Sequence, residues 1–171
     1  SYNSAILACA RASQPAHAEQ LFHDLRASPT LEACQVSFNA ILDAVSAVVP
    51  RARALWKLGL ASGHYSSIKA STAKGIPQID LHDLSEGAAV TAVRWWLEEH
   101  MASAAAAPRE LTIVTGWGKS RASHQDGDVR GSVEAVLCEM GVPLLPTANP
   151  GRIVVDATSW REERARRASR L

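Results

Sequence analysis

The chain has 171 residues, 47% of them hydrophobic, with a net charge of +1 and a pI near 7.8. That is enough apolar material for one ordinary domain or two small ones, and it excludes an intrinsically disordered chain. A near-neutral balance also excludes nucleic-acid capture by a global field, so any anion-binding surface must be a local patch.

The chain opens on "SYNSAILACA" and returns to "SFNAILDAVS" 36 residues later. Each copy is followed by a second helical segment, "AHAEQLFHDLRAS" (16–28) and "RARALWKLGLASG" (51–63). Ile6/Leu7 with Ala10, and Ile41/Leu42 with Val45, mark one apolar face in each first helix. Pro15 and Pro50 fall where the second helices begin, a position at which a missing N–H costs little. Residues 1–65 therefore read as two helical hairpins, with 66–76 as a Gly/Ser/Thr/Pro connector. Because the first residues already lie inside the periodic pattern, the reading expects a fragment of a longer protein.

After the connector, strand and helix alternate. "QIDLH" (78–82) alternates apolar and polar residues. Ser85 is a candidate cap for a helix over roughly 86–106. "LTIVT" (111–115) has the β-branched content of a buried strand. Asp126 or Asp128 is suited to cap a helix reaching about Met140. "VPLLPT" (142–147) and "RIVVDA" (152–157) read as short strands joined by the "ANPG" turn. The tail, residues 158–171 ending in "WREERARRASRL" (160–171), reads as a basic helix. The expected class is α+β, with an α-solenoid fragment followed by a small two-layer β-α-β-α-β-β unit over 77–157.

Within that unit, "LTIVTGWGKSR" (111–121) has the outline of a phosphate cradle. A Walker loop would need glycine at position 113, which is Ile113, and a dinucleotide fingerprint would need it at 121, which is Arg121. Both spacings fail. What remains is a strand-end loop in which Gly116 and Gly118 permit positive φ and close backbone approach, and in which Lys119 and Arg121 add positive charge for an anion. Trp117 either offers a stacking face to a base or folds back onto the protein, and Lys119 is alternatively an ordinary solvated charge. Arg152, after "NPG", reaches the same edge if the strands are neighbours.

On strand 78–82, Ile79 and Leu81 face the core, which leaves Asp80 and His82 together on the other face. An imidazole near neutral pH is suited to proton transfer, and the carboxylate either fixes its tautomer or holds a metal ion such as Mg²⁺. The plainer alternative is that both residues lock the strand–helix corner through backbone hydrogen bonds. His17, His23, His64, His100 and His124 have no metal-ligand spacing. The three cysteines, Cys9, Cys34 and Cys138, read as free thiols of a reducing compartment. No apolar run is long enough for a transmembrane helix.

Two resemblances follow from these motifs. The S-[YF]-N-x-[IL]-L start with an A-x-x-L-[FW] second helix resembles the pentatricopeptide repeat, a family that binds single-stranded RNA at about one base per repeat in mitochondria and chloroplasts. Asn3 and Asn39 match its base-reading position. The second reading position of the first repeat falls on Cys34, which is not one of the usual partners. The ordered set "IDLHDLSEGAA", "LTIVTGWGKS" and "NPGRIVV" resembles the small-MutS-related (SMR) domain, in the form joined to pentatricopeptide repeats. Ile79 stands where that domain usually has leucine, and Asp83 where many members have glycine. The resemblance implies RNA binding or RNA endonuclease activity in an organelle, with Asp80 and His82 as the catalytic candidates. Gly116, Trp117, Gly118, Lys119, Arg121 and Arg152 are the substrate-binding candidates. It equally accommodates a non-catalytic subunit of a large organellar assembly, such as a ribosome or a photosynthetic or respiratory complex. One base read or stacked contributes ~1–3 kcal/mol, so two repeats alone bind RNA at millimolar strength or weaker, and further contacts upstream are required.

Overall fold

The computed structural model describes residues 1–65, 71–73, 76–101, 108–116 and 128–169. It divides into two units, residues 1–66 with 84–92 and residues 67–83 with 93–171. The chain is thus helical in its first part and carries a small mixed sheet in its second.

In the first unit α1 (Tyr2–Arg11), α2 (Pro15–Ala27), α3 (Gln35–Val45) and α4 (Val49–Ala61) form two hairpins. α1 packs on both α2 and α3, and α3 on α4. Ser1 caps α1 by accepting the Ser4 N–H, and Pro15 and Pro50 sit in the first turns of α2 and α4, as the hairpin reading expects. The apolar stripes meet in one core in which Ile6, Phe22, Phe38, Ile41, Leu42 and Trp56 are buried. Phe22 meets Phe38 edge-on at 5.0 Å, and Tyr65 stacks on Trp56 at 4.3 Å, so the residues after α4 close the second hairpin.

The first unit also takes in the start of the next helix, α5 (Glu86–Trp95). Ser85 stands at the expected cap position, its carbonyl accepting the Ala89 N–H at 2.8 Å, and its hydroxyl donates to the Asn39 carbonyl at 3.2 Å. The Gly87 N–H is taken by Asp43 Oδ1 at 2.7 Å. A side chain from α3 therefore satisfies a donor that the helix itself leaves open. A Cβ on Gly87 would lie 2.5 Å from the Leu42 carbonyl oxygen and 2.6 Å from Asp43 Cα, so only glycine permits this approach.

In the second unit β1 (Ser71–Ala73), β2 (Ile76–Asp80), β3 (Glu110–Val114), β4 (Leu144–Leu145) and β5 (Arg152–Asp156) form one sheet in the order β1-β2-β3-β5-β4. β2 and β3 are parallel and the other pairs antiparallel. β1 lies in the stretch read as connector. Its "STA" carries no apolar alternation, and its pairing with β2 comes from tertiary context. β4 is shorter than the expected 142–147 strand, because Pro143 and Pro146 flank it and cannot donate to a ladder. α5 runs into a π-helical turn at Trp96–Met101, α6 (Val129–Glu139) is capped by Asp128, and α7 (Ala157–Ala168) by Asp156. Ile79, Leu111, Ile113, Ile153 and Val155 bury one sheet face with Trp96, Leu97, Val133, Leu137 and Trp160.

Candidate functional site

The site of interest lies at the end of the parallel pair β2/β3. β2 stops at Asp80 for a local reason: Asp80 Oδ1 accepts the backbone N–H of His82 at 3.0 Å, an Asx turn that competes with further pairing. The Leu81 N–H still reaches the Val114 carbonyl at 2.9 Å, so the turn leaves directly from the ladder. The same Oδ1 meets His82 Nδ1 at 2.5 Å. Leu81 is buried, whereas the Asp80 and His82 side chains are each 47% exposed. One carboxylate oxygen thus locks the corner through the backbone and also meets the imidazole.

An ionised carboxylate only accepts, so a neutral ring held by it carries its proton on Nδ1 and presents Nε2 as the acceptor. The Nε2 side of the ring lies over Gly116. A Cβ there would stand 2.9 Å from Cδ2 and 3.1 Å from Nε2, and Gly116 has φ of +76°. Glycine is required twice over, for the left-handed backbone and for the ring above it.

Asp80, Val114 and Arg152 are register partners across β2, β3 and β5. They therefore project from one face in one row, with the acid and the exposed Arg152 about 10 Å apart over two strand spacings. β3 and β5 are neighbours, the condition on which Arg152 was placed at this edge. Trp117, Gly118, Lys119 and Arg121 lie outside the described residues.

The turn before β5 is tied to the residues that follow β3. The Gly151 carbonyl accepts from Thr115 N–H at 2.9 Å and Gly116 N–H at 3.2 Å, and Asn149 Oδ1 holds the Gly151 N–H at 2.9 Å. Arg130 of α6 donates one guanidinium nitrogen to both the Pro150 and Arg152 carbonyls, at 2.7 and 3.0 Å. Sequence reasoning passed over Arg130 and Asn149. The Asn-Pro-Gly turn signalled Asn149, but nothing in the residue pattern marks a clamp onto backbone carbonyls.

The arginines of α7 are largely engaged at the surface. Arg166 pairs with Glu162 and Arg167 with Glu163, Arg161 donates to the Pro108 carbonyl, and Arg164 lies 5.7 Å over Trp160. Among the described residues no three His, Cys, Asp or Glu side chains gather where they could hold a metal ion, so no Mg²⁺ site is assembled from them.

In the helical unit Asn3 and Cys34, 31 residues apart, come together: the Asn3 amide points at Cys34 Sγ at 4.0 Å. Cys34 sits at the N-cap of α3 with Ser37 closing the box. Burial pushes its thiol pKa up. Hydrogen bonds from Ser37, the Val36 backbone and Asn3 outweigh that and leave it below the ordinary value. Asn39, at the same repeat position as Asn3, has a different setting. Its Oδ1 accepts the Tyr65 hydroxyl at 3.1 Å. No helix among the described residues is long and apolar enough to cross a membrane.

No family model matches the chain. It is similar to two pentatricopeptide repeat-containing proteins of Arabidopsis thaliana. One is 28% identical over 128 residues, which is 72% of this chain and 15% of that protein. The other, named chloroplastic, is 32% identical over 131 residues, 72% of this chain and 9% of that protein. The chain therefore spans less than a sixth of either relative. Together with the paired helical hairpins, these similarities support a relationship to pentatricopeptide repeat proteins.

Proposed function

We propose that this chain is part of an organellar RNA-binding protein in which helical-hairpin repeats hold single-stranded RNA and the α/β unit, of small-MutS-related type, cleaves it. One observation carries the cleavage: Asp80 Oδ1 takes Nδ1 of His82, leaving Nε2 as the acceptor at an exposed sheet end beside Gly116. His82 Nε2 removes a proton from the attacking 2′-hydroxyl or water. The oxygen attacks phosphorus, the P–O5′ bond breaks, and the imidazolium returns the proton to the leaving oxygen. Asp80 fixes the ring and its tautomer, and Arg152 on the same row faces the phosphate. Gly116, with Trp117, Gly118, Lys119 and Arg121 following it, supplies the loop against which the RNA rests. Asn3 beside Cys34 supports a base contact in the first repeat.

Such a base contributes about 10²–10⁴-fold, so cleavage of single-stranded RNA by the full protein, with and without EDTA, is expected to fall by that factor in His82→Ala and Asp80→Ala. Undiminished cleavage in both variants would remove the assignment, and the product ends report whether the 2′-hydroxyl or water attacked. A second reading, a non-catalytic RNA-binding or structural subunit of a large organellar complex, draws on Asn39, whose amide oxygen is spent on Tyr65. Stoichiometric co-purification with such a complex, together with unchanged RNA affinity in the Trp117→Ala/Lys119→Glu variant, would favour that reading.

A further inference from the structure

We infer that Arg130 is a positioning residue for the Asp80–His82 pair, acting through the 149–152 turn and Gly116; the inference rests on the proposed reading of that pair as the proton-transfer group. Arg130 stands in the first turn of α6, and its side chain makes three described contacts. Nη1 donates to the carbonyls of Pro150 and Arg152, and Nη2 pairs with Glu134 at 2.8 Å. Gripping two carbonyls on either side of Gly151 fixes the plane of the peptide between them. The Gly151 carbonyl is the acceptor for the Thr115 and Gly116 N–H groups, and the Thr115 hydroxyl approaches it at 3.4 Å. Asn149 holds the Gly151 N–H from the other side. The path from Arg130 to the imidazole therefore has three described steps: guanidinium to turn, turn carbonyl to Gly116, Gly116 to the His82 ring.

The chemistry of the clamp selects arginine. The guanidinium presents several N–H groups in a fixed plane, so it can satisfy two carbonyls and the Glu134 carboxylate together. An ammonium is a point charge on a flexible stem and does not reproduce that spacing. The consequence matters at Nε2. A Cβ built on Gly116 would stand only 3.1 Å from that atom, so the Gly116 backbone lies close to the ring and a small shift of the turn alters the surroundings of the group that must accept a proton. Arg161 provides a matched contrast. It too donates to a backbone carbonyl, that of Pro108 at 2.7 Å, but it does so from α7 and at the start of β3 rather than at the 149–152 turn.

The test compares Arg130→Lys, Arg130→Ala and Arg161→Ala in the full chain. One readout is the ¹⁵N-edited NMR spectrum of the His82 ring with the Gly116 amide; the other is single-turnover RNA cleavage. Both Arg130 variants are expected to shift the His82 ring and Gly116 amide resonances, with Lys intermediate. Arg161→Ala is expected to leave them in place. The saturating single-turnover rate is expected to fall about tenfold in Arg130→Lys with the half-saturating concentration little changed, consistent with lost alignment at the reacting group. Unmoved His82 and Gly116 signals in folded Arg130→Lys would overturn the inference, as would equal shifts from Arg161→Ala. If Arg130→Ala does not fold, Arg130→Lys decides. If the wild-type protein does not cleave RNA, the catalytic reading fails by itself, and the NMR shifts still decide whether Arg130 positions His82.

Discussion

The two units hold their polar pairs in opposite ways. Asp80 and His82 are two residues apart and joined at 2.5 Å by a turn that also ends the strand. Asn3 and Cys34 are 31 residues apart and meet at 4.0 Å only because one hairpin stacks on the next. A pair made by local chain geometry is tight before any substrate arrives. A pair made by repeat stacking is loose and takes its meaning from its neighbours. Asn39 sharpens the lesson: it repeats the position of Asn3, yet Tyr65 has drawn it into the packing of the second hairpin.

The largest way to break the helical side is at Gly87. Valine there would drive atoms into the Leu42 carbonyl and the Asp43 backbone, and should destabilise the chain by about 2–3 kcal/mol in urea unfolding. A loss below about 0.5 kcal/mol, the level of an ordinary surface change, would mean that α5 does not approach α3 so closely.

The contrast between the two asparagines predicts a smaller, asymmetric effect. Tyr65→Phe and Asn39→Ala each remove the half-buried Tyr65–Asn39 hydrogen bond, for about 1 kcal/mol, whereas Asn3→Ala should stay within about 0.5 kcal/mol. Filter-binding of single-stranded RNA should show the reverse order, with Asn3→Ala the more harmful. Equal stability losses would erase the distinction between the copies.

Acid titration separates the two units by sign. Asp43 is buried, which raises its carboxyl above the ordinary value despite the Ser85 and Gly87 hydrogen bonds, and nearby Glu86 adds to the rise. Its contribution is fully present below the unfolded-state value and is lost as pH climbs through the raised one, so Asp43→Asn should gain relative stability toward neutral pH. Asp156 is held below the ordinary value by the Ser159 backbone and side chain, with the Thr158 N–H adding to this. Its contribution is present above the unfolded-state value and is lost as pH falls through the depressed one, so Asp156→Asn should lose stability at neutral pH and converge with wild type in acid. Thermal midpoints across pH 2–8 check both signs.

The smallest effect is a rate. Cys34 is exposed and its thiol is held below the ordinary value, so brief alkylation read by mass spectrometry should label it before Cys138, the other exposed thiol. Labelling in the opposite order would deny the helix-cap setting of Cys34.

Much of this was legible in the residues. The 36-residue return of "S-[YF]-N" and the apolar stripes gave the hairpins, because helical packing is written in side-chain periodicity. The alternation in "QIDLH" put Ile79 and Leu81 inside and Asp80 and His82 outside, because a strand has period two. What stayed hidden depends on backbone groups and distant partners. β1 has no apolar pattern, and Asp43 caps α5 from another helix. Tyr65 claims Asn39 from 26 residues away, and Arg130 grips carbonyls that every residue carries alike.

The proposed cleavage requires that Asp80 keep the proton on Nδ1 of His82 so that Nε2 is free to accept one. The long-range ¹⁵N spectrum of the His82 ring in the wild-type chain, at a pH where the ring is neutral, tests it directly. A protonated Nδ1 and a bare Nε2, with that preference reduced in Asp80→Ala, is the predicted result. A proton resident on Nε2 would contradict the account.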